Sequence, residues 1–211
     1  TGAQNAGGLV GSTAAGAQIN LNENYTVSGS ITSGNGNAGG LIGLAENNPV
    51  SITDGKKVSV TNATLSANGT SGAAGGLFGF ATISQENPSL DLATYSVDGI
   101  TITSGKYAGG AFGILSNTTN NSTIKIQNGN QSEISSAGQD ADNYGGLIGN
   151  YQADQLTSGL ELTGLNITSS HTGEAKTAYS GVIAEVTGKS YVKMDDLTVA
   201  MNQNVENGSY F

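Results

Sequence analysis

A six-residue pattern built around two adjacent glycines returns six times along this chain and constrains its fold more than any other feature. Its clearest copy is Ala38-Gly39-Gly40-Leu41-Ile42-Gly43. The second glycine of each pair is Gly8, Gly40, Gly76, Gly110, Gly146 or Gly181, which sets a period of about 35 residues. A unit repeated at such a period stacks on its neighbours, because one copy cannot bury its apolar face alone.

A second pattern inside each period indicates two short strands joined by a polar bend. Apolar residues alternate there with Ser, Thr or Asn, which is typical of half-buried strands. The clearest copies are residues 60–65, 97–102, 162–167 and 194–199. Together with the strand of the glycine pattern, each period holds three strands.

These repeats predict an all-β fold, a three-sided parallel β-helix (a β-solenoid). Parallel crossovers are overwhelmingly right-handed, so a right-handed solenoid of about six coils is expected. Like positions of successive coils then lie about 4.8 Å apart and form continuous columns. We expect residues 1–211 to form a single solenoid segment, taken from a longer repeat protein.

Two apolar columns follow the glycine pair. The first contains Leu9, Leu41, Leu77, Ala111, Leu147 and Val182, and the second contains Val10, Ile42, Phe78, Phe112, Ile148 and Ile183. Adjacent side chains of a strand point to opposite faces, so only one column is expected to face the interior. The glycine pair is expected to supply a positive φ at the turn into the strand and to leave no Cβ at the corner.

The composition excludes several classes of partner and scaffold. The chain has 33 Gly, no Cys, seven Lys and no Arg, and its formal net charge is −9. Without Cys there is no disulfide framework and no Cys metal site. Nucleic acids and anionic membranes attract clustered cations, so neither is an expected partner. No apolar run approaches the roughly 20 residues of a membrane span, so direct membrane insertion is not expected either.

The glycine pattern resembles the GLUG-motif repeats, named for glycine, leucine, any residue and glycine. The matching segments are residues 8–11, 40–43, 76–79 and 146–149, while 110–113 carries Ala111 for leucine and 181–184 is degenerate. Such repeats occur in large bacterial surface and secreted proteins, including adhesin-like proteins. The resemblance therefore implies an extracellular or cell-surface β-solenoid. A weaker likeness is to the passengers of chlamydial polymorphic membrane autotransporters.

Few residues offer catalytic or metal chemistry. The single histidine, His171, lies in a polar run and is expected on an exposed loop, and one histidine cannot build a zinc site. The carboxylate pairs that could serve glycoside hydrolysis are Asp140 with Asp142, Asp195 with Asp196, and Asp91 with Asp98. Asp195 and Asp196 occupy a bend, where turn chemistry explains them.

One metal site is predicted from these carboxylates. Asp140 and Asp142 lie in a D-x-D-N run whose oxygens suit calcium. No catalytic residue and no other cofactor are expected.

Two further features concern surfaces. Tyr144 and Tyr179 replace alanine in the column Ala6, Ala38, Ala74 and Ala108, where they could contact a carbohydrate or a protein or could pack internally. Thr32, Ser66, Thr103, Ser135 and Thr168 align in a hydroxyl column of the kind that can bind ice. The column mixes Ser with Thr and lacks a second regular row of Thr, so solubilising strand hydroxyls are the favoured interpretation.

The leading functional hypothesis is a non-catalytic adhesin or stalk segment, a rigid solenoid whose variable loops contact a protein or glycan on another cell or matrix. One alternative is a polysaccharide-processing or carbohydrate-binding β-helix module. Another is a structural filament subunit, whose copies would associate end to end.

Overall fold

The computed structural model describes residues 4–47, 50–84, 89–127, 133–139, 141–153, 155, 157–172 and 178–204. In this part the chain forms a parallel β-solenoid of about five turns, which confirms the predicted fold class with slightly fewer turns than expected. The described residues form 24 strands and one short 3-10 turn, Leu92–Thr94. No helix among them is long and apolar enough to cross a membrane.

Each turn contributes four strands rather than the three expected. Sheet 1 holds the shortest strands, β1 (Ala6–Gly7), β5 (Ala38–Gly39), β9 (Ala73–Gly75), β13 (Tyr107–Gly109), β17 (Asn143–Gly145) and β21 (Ala178–Ser180). Sheet 2 follows with β2 (Val10–Ser12), β6 (Ile42–Glu46), β10 (Phe78–Ile83), β14 (Phe112–Asn117), β18 (Ile148–Ala153) and β22 (Ile183–Gly188).

The remaining strands form the other two sides. Sheet 3 consists of the pair β3 (Ile19–Leu21) and β7 (Val50–Ile52), and of β11 (Ser89–Asp91), β15 (Thr123–Gln127), β19 (Gly159–Thr163) and β23 (Tyr191–Asp195). Sheet 4 contains β4 (Tyr25–Ser33), β8 (Val58–Ala67), β12 (Tyr95–Ser104), β16 (Glu133–Gln139), β20 (Asn166–Thr172) and β24 (Thr198–Asn204).

Like positions of the glycine pattern lie on adjacent rungs. Phe78 pairs with Ile42 on one side and with Phe112 on the other, always in parallel. Between β5 and β6 the ladder continues through the turn, because Leu41 N donates to Leu77 O at 2.9 Å. The backbone of each coil is therefore bonded to the coils above and below it.

The glycine pair is required by close approach between coils, not by backbone conformation. Among the described residues, the glycines with positive φ are Gly16, Gly29, Gly55, Gly99, Gly164 and Gly188, and none belongs to a pair, so the expected positive φ is wrong. A Cβ at Gly40 would overlap the carbonyl oxygen of Gly76 and lie 2.7 Å from Val60 Cγ1. The expectation that a Cβ would crowd this corner is confirmed.

Both apolar columns lie inside, which corrects the expectation that only one would. Leu41 and Ile42 are each 1% exposed. Leu41 lies in the turn between β5 and β6, and the alternation of faces holds only within a continuous strand. The chain therefore directs two consecutive side chains into the same core, where the rings of Phe78 and Phe112 stack at 5.4 Å.

The second repeated pattern, two short strands joined by a polar bend, falls at two different places in the coil, although its copies look alike in the sequence. In the third coil Val97 belongs to sheet 4 and pairs with Val60 and Ile134. In the fifth coil Leu162 belongs to sheet 3 and pairs with Ile126. The second bend residue nevertheless has positive φ in each copy, namely Asn62, Gly99, Gly164 and Asp196.

Candidate functional site

Asp142, one of the two predicted calcium residues, lies at the corner between sheets 4 and 1. Asp140 is outside the described residues. Asp142 is half-buried, and its backbone oxygen accepts a hydrogen bond of 3.1 Å from Ala178 N of the next coil. Within the described ranges, no group of three or more His, Asp or Glu residues could hold a metal ion. Calcium at Asp140 and Asp142 stays a prediction.

The other acidic residues considered for hydrolysis lie at a cap, on the exposed surface or in a bend. Asp91 caps the 3-10 turn, because its carboxylate accepts a 2.9 Å hydrogen bond from Ala93 N. Asp98 is exposed beside the bend of β12. Asp196 has a φ of 52° in the bend before β24, a conformation that Asp tolerates better than most residues. Turn and cap chemistry explains Asp91 and Asp196 without catalysis.

His171 is buried in a strand, which corrects the expectation of an exposed loop histidine. It lies in β20 and is 0% exposed. Its ring centroid is 5.1 Å from that of Tyr179 and 5.9 Å from that of Tyr144. Ser169 on the same face of β20 is also buried, so a run of polar residues that belongs to a strand misled the loop prediction.

Tyr144 cannot contact a partner, because its side chain fills the core and is 1% exposed. Its hydroxyl forms a 2.6 Å hydrogen bond with Ser136 Oγ, and its ring stacks on Tyr179 at 5.5 Å. Burial raises the pKa of Tyr144 far above its usual value, and the hydrogen bond to Ser136 offsets this only in part. Internal packing, the alternative to a contact role, is the observed one. Tyr179 lies in the last coil and is half-buried.

The space for Tyr144 comes from a glycine that sequence reasoning missed. Tyr144 follows Ala108 in sheet 1, and Gly138 follows Ile102 in sheet 4. A Cβ at Gly138 would lie 2.7 Å from Tyr144 Cγ. The larger side chain in sheet 1, Tyr144, is therefore matched in the same coil by a smaller residue in sheet 4, Gly138. The signal is visible in the sequence only once the register of sheet 4 is known.

The hydroxyl column does not exist as expected. Thr32, Ser66 and Thr103 share a row, but the row continues to Gln139 rather than to Ser135. Ser135 pairs with Thr168 in a different row. No regular rung of five hydroxyls is formed by these residues.

A polar cluster, also unexpected, is formed by residues of sheets 1 and 2 in the last two coils. Asn150 is 0% exposed and donates a 3.0 Å hydrogen bond to Glu185 Oε2, to which Asn143 donates at 3.4 Å. Thr187 donates to Asn150 Oδ1 at 3.1 Å. The row that holds Asn150 and Glu185 is apolar in the second, third and fourth coils, where it contains Leu44, Phe80 and Ile114.

The first and last coils expose apolar side chains in columns that are buried in the middle coils. In the first coil Leu9 is 38% exposed, and a cleft of about 400 Å³ opens beside Gly8, Val27 and Ile31. The large exposed apolar side chains of the last coil are Val186, Tyr191, Met194, Val199 and Met201. All the large apolar side chains that are exposed among the described residues lie in the first or the last coil.

Comparisons with protein-family models, with curated proteins and with solved structures found no match to this chain.

Proposed function

We propose that the chain is a rigid, non-catalytic segment of an extracellular or cell-surface protein, which holds variable loops for contact with another cell or with matrix. The observation that carries this proposal is the unbroken order of parallel strands along the stack. Sheets 1, 2 and 4 each run through six strands in order, without a skipped or reversed rung. Such a stack separates its two ends by a set distance.

Stiffness follows from how the coils are joined. Each coil is bonded to its neighbours through backbone hydrogen bonds on several sides, for example from Gly76 N to Gly109 O at 3.2 Å. The columns of buried side chains add close packing along the same axis. Bending the stack would open both kinds of contact on one side, so the segment suits the role of a stalk.

The connections between sheets supply variable surface. Between sheets 2 and 3 the chain uses residues 13–18 in the first coil, 118–122 in the fourth and only 189–190 in the last. Ala14, Ala15 and Gly16 are exposed in the first of these loops, and Asn120 and Asn121 in the fourth-coil loop. Because loops on a rigid scaffold commonly carry recognition, this variation favours a display role.

The resemblance of the glycine pattern to GLUG-motif repeats supports a bacterial surface location. A low content of charged residues, 11%, leaves faces dominated by Ser, Thr and Asn. Such faces bind by hydrogen bonding rather than by charge, which fits a glycan or an uncharged protein surface better than nucleic acid.

An adhesion assay tests the contact role. Beads that carry the purified chain are expected to bind target cells or immobilised matrix, and a variant with residues 14–18 replaced by a shorter Gly-Ser turn is expected to bind less. Protease or glycosidase treatment of the cells identifies the class of receptor. Absence of binding to cells, to matrix and to a glycan array would overturn the contact role.

A linker replacement tests the stalk role separately. In the surface protein that carries this segment, a flexible Gly-Ser linker of equal contour length replaces residues 1–211. We expect attachment to fall, because a flexible coil does not hold its ends apart. Full attachment with the flexible linker would show that rigidity is irrelevant.

A further inference from the structure

The outward side of sheet 4 carries two adjacent rows of hydroxyl groups on the strands β4, β8 and β12 of the first three coils. The register of these strands places like positions on neighbouring rungs. The members of the two rows, which we call the hydroxyl face, are Ser30, Thr64 and Thr101 in one row and Thr32, Ser66 and Thr103 in the next. A second row of hydroxyls, which the sequence pattern did not indicate, therefore lies beside the first.

The two rows form a regular two-dimensional array. The register shift of β4 lies earlier, between Val27 and Gly29, so the pairing of the three strands is continuous across the hydroxyl face. Hydroxyls within a row are therefore about 4.8 Å apart, and the two rows, which lie two residues apart along each strand, are separated by about 6.6 Å. Both repeats are close to separations between oxygen atoms on the faces of hexagonal ice.

The hydroxyl face is available to solvent. Ser30 and Thr64 are exposed, and the other four residues are half-buried. An inward-facing hydroxyl of the same sheet is used internally, since Ser104 Oγ donates to Gly72 O at 2.6 Å. Within the described part of the chain, the side chains of the hydroxyl face form no hydrogen bond of this kind. Their donors and acceptors are therefore left to whatever covers the face.

We propose that the hydroxyl face binds ice. The occupant is the ordered water of a crystal face, to which the hydroxyls donate hydrogen bonds and from which they accept them. This role goes beyond the display role and is independent of it, because it uses a sheet face rather than loops and requires no receptor.

Solubility alone does not require such an array. Liquid water accommodates hydroxyls in any arrangement, and sheet 3 is solvated through a row that contains Lys125, Glu161 and Lys193. The hydroxyl face has no charged side chain, and Asp98 of β12 lies on the other side of the bend at Gly99. A charged group holds its own hydration shell, so a surface without charges is better suited to an ordered lattice of water.

A flat polysaccharide surface is a poorer match. Crystalline polysaccharides are bound by aromatic side chains that stack on the sugar rings, and the hydroxyl face contains no aromatic residue. The tyrosines of the same strands, Tyr25 and Tyr95, share a row that packs against the core. The chemistry of the face is therefore that of hydroxyls and methyl groups alone.

Preorganisation makes an array of weak donors and acceptors effective. Four of the six residues are threonines, whose branched side chains have restricted χ1 angles. Behind them the alternate residues Leu65 and Ile102 are 0% exposed and fix the strands against the core. Because the hydroxyls are held in place before binding, little conformational entropy is lost when they meet the lattice.

Ice-affinity partition of the 211-residue chain tests the proposal. Ice is grown slowly in a dilute solution of the protein, and the fraction of protein in the ice is compared with that of an unrelated globular protein. Thr64→Lys places a charge in the middle coil of the hydroxyl face, and Ser30→Lys places one in its first coil; both positions are exposed, so folding should survive.

Thr82→Lys is the matched control, because Thr82 is a partly exposed threonine of sheet 2, between Ala81 and Ile83 of the core. Thr64→Ser keeps the hydroxyl and is the conservative variant. Circular dichroism with a thermal melt checks that each variant folds.

We expect the unmodified chain, Thr82→Lys and Thr64→Ser to enter ice and to slow ice recrystallisation. Thr64→Lys and Ser30→Lys should both fall to the level of the unrelated protein. Exclusion of the unmodified chain from ice would overturn the proposal, and so would equal losses in Thr64→Lys and Thr82→Lys. Binding to crystalline cellulose or chitin that Thr64→Lys removes, without entry into ice, would overturn it in favour of a polysaccharide surface.

Discussion

Glycine at the second position of each pair is explained by a neighbouring coil and not by the residue's own conformation. At Gly76 a Cβ would overlap Gly110 O and lie 2.8 Å from both Ile100 Cδ1 and Val97 Cγ1. A backbone oxygen held in a ladder cannot move away as a flexible side chain can. Glycine is therefore required at this position because the neighbouring coil leaves no space for a Cβ atom.

Gly76→Ala is expected to destabilise the fold by at least about 3 kcal/mol, the upper range for overpacking a rigid site. The control is Gly55→Ala, where φ is 76° and no atom lies within 4 Å of the added Cβ. There only the left-handed conformation is penalised, at roughly 1–2 kcal/mol. Urea unfolding of both variants measures the difference. Equal losses would mean that the coils can separate to admit the methyl group.

Burial of tyrosine makes the fold sensitive to alkali. Tyr95 is 3% exposed, and burial raises its pKa to about 12 from the usual 10.0. The folded state holds this proton more tightly than the unfolded state, so the stabilisation is complete below pH 10.0 and is lost as the pH rises through about 12. Two pKa units correspond to about 3 kcal/mol.

Tyr95→Phe is therefore expected to flatten the fall in unfolding free energy between pH 10.0 and about 12. Tyr25→Phe is the matched control, because Tyr25 occupies the same row of sheet 4 but is only half-buried in the first coil. Denaturation at a series of pH values gives both slopes. Identical slopes for the Tyr95 variant and the unmodified chain would exclude Tyr95 as the titrating group.

At the scale of strands, the repeat predicts the columns of sheets 1 and 2 but does not predict the register of sheet 4. Residues 97–102 and 162–167 look alike because each has apolar residues on both sides of a two-residue bend. Periodicity cannot distinguish a bend within a strand from one between strands. The burial of Tyr144 and His171 depends on that register, since Gly138 must be known to face Tyr144. The burial of Tyr144 and His171 could therefore not be predicted from the sequence pattern alone.

The exchange of volume between facing strands can be tested by a double-mutant cycle. Tyr144→Ala should cost about 3–5 kcal/mol through the cavity it leaves. Gly138→Leu should also destabilise, because a Cβ at Gly138 would lie 2.7 Å from Tyr144 Cγ. Together they restore the arrangement of the earlier coils, Ala108 facing a row that holds Ile102. We expect the double variant to unfold at higher urea than either single variant, and additive losses would contradict the pairing.

At the scale of the whole molecule, stability should vary along the stack. A solenoid coil contacts only its neighbours, so its stability is the sum of its own term and two interfaces. The coils of β10 and β14 have both interfaces, whereas the coil of β22 has one in the described chain. End coils should therefore open locally at lower free energy than central coils.

Hydrogen exchange followed by mass spectrometry reports this gradient. Amides of β8, β10, β12 and β14 are expected to exchange most slowly, and those of β2, β22 and β24 most rapidly. Uniform exchange along the stack would mean that the coils unfold as one unit.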